Sequence, residues 1–158
     1  MIELNPKIKE TLMKIDFVKR YEELSDKFNS EKTSSEKRLV YLDGEEVMEI
    51  IQDLGYFPIF DEKEKFYKIK EEQIGKFTLC VHIILQRGMV DLVWVVKEEG
   101  KLILGAPWSV YSRRLIDSNY RIRKPVFVDY DELEEILKIT FNMYEDFKRV
   151  LTSTKQIK

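Results

Sequence analysis

The run FTLCVHIILQRGMVDLVWVVKEEGKLILGAPWSV, Phe77 to Val110, decides the fold. Its odd positions from Phe77 to Leu85 are all apolar (Phe77, Leu79, Val81, Ile83, Leu85), while Thr78, Cys80, His82, Ile84 and Gln86 alternate with them as a mixed set. Strict period-two alternation puts one face of a strand on a core and leaves the other partly wet. Gly88 permits a turn, Val90, Leu92, Trp94 and Val96 form a second apolar file, and Glu98-Glu99-Gly100 supplies the next turn. Leu102 and Leu104 return the chain, and Trp108 and Val110 extend the pattern beyond Gly105 and Pro107. The expectation is an antiparallel meander of three or four strands.

Working outward, Asn5-Pro6 is suited to starting a helix, with proline at the first helical position. Ile8, Leu12 and Ile15, then Phe17, Tyr21, Leu24 and Phe28, predict one helical stripe from about residue 6 to 29. The polar segment 30–37 reads as a loop, which makes the helix before it an N-terminal extension of a core spanning 38–151. Residues 38–42 are compatible with a short strand. Asp43 with Glu46 three residues on forms a capping-box pattern, Val47, Ile50, Ile51 and Leu54 share one helical face, and Gly55 stands where a left-handed residue ends the helix. Residues 56–60 and 66–69 flank the charged turn 61–65 as a hairpin, with Pro58 demoting its first arm to an edge. Lys70 to Lys76 reads as a polar connector. After the meander a loop and a short strand at about 120–123 are expected, followed by a long helix capped by Asp129 and Glu132. Helices before and after strands joined by short turns define an α+β fold: an antiparallel sheet of about five to six strands with helices on one face.

At 158 residues the chain is expected to be a single domain able to bury roughly 70% of its unfolded surface. A hydrophobic content of 44% excludes a disordered chain, and 27 basic against 29 acidic residues leave a net charge of -2, which favours neither nucleic acid nor a polyanion-repelling surface as a whole. Cys80 is the only cysteine, so intramolecular disulfides and cysteine-rich zinc sites are excluded. The first residues lack an apolar signal region and no run approaches ~18 apolar residues, so the expected setting is a microbial cytoplasm without a membrane partner.

For chemistry, Cys80 and His82 point the same way at i, i+2 on a strand, and Asp91 is the acid a metal pair would need. No spacing supports further ligands, and a histidine under a covering helix is the plainer account. Paired acids such as Glu45-Glu46 and Glu134-Glu135 sit at turns and helix starts, where the helix dipole explains them. Phosphate-loop, Gly-x-Ser-x-Gly, His-Glu-x-x-His and zinc-finger patterns are all missing, so neither catalysis nor a cofactor nor a bound metal is expected.

One local anomaly remains. Between residues 108 and 124, Arg113, Arg114, Arg121, Arg123 and Lys124 face a single acid, Asp117, with Trp108, Tyr111 and Tyr120 interleaved. Arginines beside aromatics are enriched at protein interfaces, and the same pairing can stack bases and hold phosphates. The leading expectation is a non-catalytic protein-binding module, with an immunity- or antitoxin-type factor that blocks its partner as the narrower form. In that scheme the basic aromatic patch meets an acidic partner surface, or the acidic helix starts meet a basic one. The alternative is a binder of nucleic acid or an anionic small molecule through 108–124. A homodimer through a strand edge or the N-terminal helix is also compatible with the sequence.

Overall fold

The computed structural model describes residues 3–29 and 33–153. In chain order these form α1 (Pro6–Lys14), α2 (Phe17–Lys27), α3 (Gly44–Asp53), β1 (Pro58–Asp61), β2 (Phe66–Ile69), β3 (Glu72–Ile74), β4 (Phe77–Gln86), β5 (Met89–Glu98), β6 (Lys101–Leu104), α4 (Trp108–Leu115) and α5 (Tyr130–Ser153). The class is α+β. One antiparallel sheet runs β1-β2-β4-β5-β6, with β3 beside β2 on the same flank of β4.

The central hairpin pairs β4 with β5 along their whole length, from Phe77 opposite Glu98 to Gln86 opposite Met89. Its two-residue loop, Arg87-Gly88, has positive φ at both positions (55° and 74°), the type I′ pattern whose twist suits a hairpin. Glu99-Gly100 repeats the pattern between β5 and β6 (51° and 84°). Gly88 is doubly constrained, because a Cβ there would lie 2.5 Å from the Cβ of Arg38.

The sheet has one covered face. Val81 stands opposite Trp94, and the Trp94 ring meets Phe147 of α5 at 4.6 Å and Phe17 of α2 at 5.8 Å. The odd positions of β4 and the even positions of β5 therefore turn toward the helices, and Leu79, Val81, Ile83, Leu92 and Val96 are all buried there. Ile8 and Leu12 of α1, Val47 and Ile51 of α3 and Leu133, Ile136 and Leu137 of α5 join the same core.

Several local expectations are corrected. Residues 6–29 form two helices, broken at Ile15-Asp16 with Asp16 left-handed (φ 56°). The apolar files explain the break. At about 100° per residue, Phe17, Tyr21, Leu24 and Phe28 lie roughly 180° from Ile8, Leu12 and Ile15, so one straight helix could not bury both sets. Asp16 is a residue type that tolerates the left-handed kink. The polar segment Lys70–Lys76 contains β3, which turns through Gly75 (φ 58°) onto β4. No strand forms at 38–42 or 120–123. Residues 30–32 of the expected polar loop lie outside the described residues; after them, 34–37 make a turn closed by the Lys37 amide on the Ser34 carbonyl.

Trp108 and Val110 do not continue the meander. They begin α4, and Trp108, Tyr111 and Ser112 are its buried face at i, i+3 and i+4. The reason lies at the sheet edge. β6 stops short, and the Trp94 backbone beyond it is met by the Tyr111 hydroxyl, which accepts from the Trp94 amide (3.2 Å) and donates to its carbonyl (3.3 Å). A helix side chain thus does the work of a missing strand.

Candidate functional site

The groove beneath α3 is built from a few local rules. Asp43 caps the helix by accepting from the Glu45 amide at 3.0 Å. The return half of the expected capping box is not made by Glu46, because the Asp43 amide donates to the Tyr130 hydroxyl from α5 at 2.9 Å. Val47, Ile50 and Ile51 are buried. Glu45, Met48, Glu49 and Gln52, at i, i+3, i+4 and i+7, therefore share the opposite side and face the β1–β2 hairpin. Phe60 and Tyr67 come up from that hairpin with their rings 4.8 Å apart. Together with Asp43, Gly44 and Glu46 these residues line a concave volume of about 890 Å³. Tyr67 is buried, and its hydroxyl sits so close to Gly44 that a Cβ there would be 3.4 Å away. Burial, with Tyr130 and Asp43 close by, pushes the Tyr67 hydroxyl above its ordinary pKa, so it stays protonated.

The electrostatics of this groove are one-sided. From Asp43 to Asp53 the chain holds five acids and no base. The helix dipole accounts for Glu45 and Glu46 in the first turn but not for Glu49. Among the described residues none of Glu45, Glu46 and Glu49 has an ion-pair partner. Glu49 stands at i+4 from Glu45 and i+3 from Glu46, spacings at which like charges repel. Two residues before the cap, Tyr41 is 92% exposed.

The basic segment 108–124 does not form one surface patch. Trp108 and Tyr111 are buried in the aromatic core: the Trp108 ring is 5.0 Å from Phe17, 5.1 Å from Tyr21 and 5.2 Å from Trp94. Neither offers a face to a ligand, which corrects the expectation that they interleave with the arginines at the surface. The Trp108 indole nitrogen has no hydrogen-bond partner among the described residues, only ring neighbours, which are weak acceptors. Arg113 donates to the Ser109 carbonyl of its own helix, and Arg121 to the Ser118 and Tyr120 carbonyls. Lys124 pairs with Asp91 at 3.4 Å. Arg121 and Arg123 line a cleft of about 430 Å³ whose other wall is Glu22 and Asp26 of α2. Arg114 and Tyr120 are half-buried. Among the described residues, acids of α2 and β5 are thus neighbours of this segment.

Cys80 and His82 share the sheet face turned away from the helices. The Cys80 thiol donates to the Ile69 carbonyl at 3.0 Å, and burial raises its pKa to about 11, which keeps it protonated. His82 lies against the Phe66 ring (4.4 Å), with Lys68 opposite it across the strands. Burial first, then the Lys68 charge, lowers its pKa below the ordinary 6.5. It lies on the face away from the described helices, which corrects the expectation of a covering helix. Asp91 is engaged with Lys124 and the Leu92 amide, and among the described residues no three His, Cys, Asp or Glu side chains converge.

The α3 groove carries no motif. What signals it in the sequence is the absence of any basic residue between Asp43 and Asp53, a feature shared with the start of α5, where Asp129 to Leu137 also holds five acids and no base. Among the described residues, no helix is long and apolar enough to cross a membrane. Comparison with protein-family models, with curated proteins and with solved structures finds no match.

Proposed function

We propose that this chain is a non-catalytic protein-binding module whose contact surface includes the groove between α3 and the β1–β2 hairpin. The observation that carries this reading is the groove's composition: an apolar floor of Met48, Phe60 and Tyr67 rimmed by Glu45, Glu46 and Glu49, acids with no ion-pair partner among the described residues. Apolar area gives a partner something to bury, and uncompensated charge gives it orientation and a faster encounter. The narrower form, an immunity- or antitoxin-type factor that blocks a partner protein, is consistent with the chain's size and with a sequence lacking catalytic motifs.

Affinity purification from the cell that makes the protein, at moderate salt with mass spectrometry and an absorbance ratio for nucleic acid, tests it. One stoichiometric protein partner is expected. Recovery of the chain alone, or with nucleic acid that leaves at high salt, overturns the reading.

A second reading draws on Arg113, Arg114 and Arg121, none of which has an ion-pair partner among the described residues. They would hold an anionic small molecule or a nucleic-acid backbone, with binding to RNA or single-stranded DNA falling steeply with salt. Burial of Trp108 and Tyr111 takes both from base stacking, leaving half-buried Tyr120 as the segment's partly exposed aromatic beside the phosphate contacts.

A further inference from the structure

The partner's chemistry can be taken one step further, resting on the protein-binding reading above. We propose that the α3 groove receives an arginine-bearing segment of the partner protein, its aliphatic stem across Met48, Phe60 and Tyr67 and its guanidinium among Glu45, Glu46 and Glu49.

Three features of the groove converge on that occupant. Its volume of about 890 Å³ suits a short stretch of chain, more than one ion or one side chain would fill. Its floor is apolar and aromatic, so a bare metal ion or ammonium would leave Met48 and Phe60 without a contact, whereas an arginine lays its methylenes along such a surface. Its charged lining residues are all acidic (Asp43, Glu45, Glu46 and Glu49), and the repulsion between Glu49 and the two glutamates one turn before it is relieved by a cation placed among them.

Arginine fits better than lysine. A planar, weakly hydrated guanidinium stacks on a ring such as Phe60 and forks between two carboxylates, while an ammonium on a flexible stem does neither as well. A nucleic acid would be repelled by the same rim.

The test is selection of a displayed random heptapeptide library on the full chain. Peptides enriched for arginine flanked by apolar residues are expected. Affinity should fall at least tenfold in a Glu45→Gln/Glu46→Gln/Glu49→Gln variant, and at least tenfold when the selected arginine is replaced by neutral citrulline. Because the triple change touches the first turn of α3, Gln52→Lys serves as a second variant. That exposed position sits one turn beyond Glu49, and a lysine there should weaken the same peptides about as much without disturbing the cap.

Enriched peptides that bind both variants as tightly as the parent would overturn the groove assignment while leaving a protein-binding surface elsewhere. A lysine or apolar consensus, no enrichment over an unrelated protein, or stoichiometric displacement of the peptides by micromolar spermidine would overturn it as well. The first and second of these leave the affinity purification free to succeed. Failure of that purification with a positive selection would overturn the protein-binding function while leaving the groove's preference for arginine peptides standing.

Discussion

Two stretches of this chain stand out by charge, and the fold treats them in opposite ways. Residues 108–124 are basic and aromatic, yet Trp108 and Tyr111 are spent on the core and Lys124, Arg121 and Arg123 face acids or carbonyls of their own chain. Residues 43–53 are acidic and look like an ordinary capped helix in sequence, yet Glu45, Glu46 and Glu49 line an open apolar floor with no ion-pair partner among the described residues. The lesson is that a charge anomaly acquires meaning only from what packs against it. Ion pairs at a surface are worth little for stability, so a fold can leave charges unpaired at small cost and keep them for a partner.

The comparison breaks most visibly at Trp108. Trp108→Ala should destabilise the protein by about 3–5 kcal/mol, measured by urea unfolding, because it empties a space shared by Phe17, Tyr21 and Trp94. An unchanged midpoint would return Trp108 to the surface. Tyr111→Phe leaves the Trp94 amide and carbonyl without their hydroxyl partner and should cost about 1–3 kcal/mol by the same measurement.

His82 belongs to neither stretch and serves as the internal control. Its pKa is lowered in the folded state, so folding favours the neutral ring. The stability this contributes is complete above the ordinary 6.5 and is lost as pH falls from there through the folded-state value. His82→Gln should flatten that part of the stability profile while leaving peptide binding at the groove unchanged. A pH profile identical to the parent's would show that His82 is not desolvated.

The smallest effects separate the two charged regions. Replacing Arg113, Arg114 and Arg121 with alanine one at a time should change stability by no more than about 0.5 kcal/mol each, as for ordinary surface positions. The three together should leave capture of a protein partner intact, and loss of capture would move the binding surface to the basic segment. Glu49→Gln should stabilise the protein slightly, by about 0.2–0.5 kcal/mol for each like-charge contact it removes. It should nevertheless weaken the arginine peptides. Gain in stability with loss of binding is the signature of a charge kept for a partner, and a loss of both would make Glu49 structural.

Much of the fold was legible because its signals are local. The alternation in Phe77–Leu85, the turns at Gly88 and Gly100 and the face formed by Val47, Ile50 and Ile51 each follow from a few neighbouring residues. The cap of α5 was equally readable: the Asp129 carboxylate accepts from the Glu132 amide at 2.8 Å, and Glu132 reaches back to the Val128 amide. The break at Asp16 was present in the phase of the apolar files but was masked by their near continuity. α4 was hidden because Trp108 and Val110 alternate like a strand, while the i, i+3 step from Trp108 to Tyr111 is too short a pattern to decide against it.

By itself, then, the sequence determined an α+β class, the central hairpin and the capped helices, since these depend on backbone preferences and hydrophobic period. Only the tertiary structure decided that the aromatics of 108–111 close the edge of β5, and that the acids of α3 overhang Phe60 and Tyr67. Both outcomes depend on which element is brought across from a distant part of the chain. Burial and charge compensation are properties of that meeting, and no local window of residues contains them.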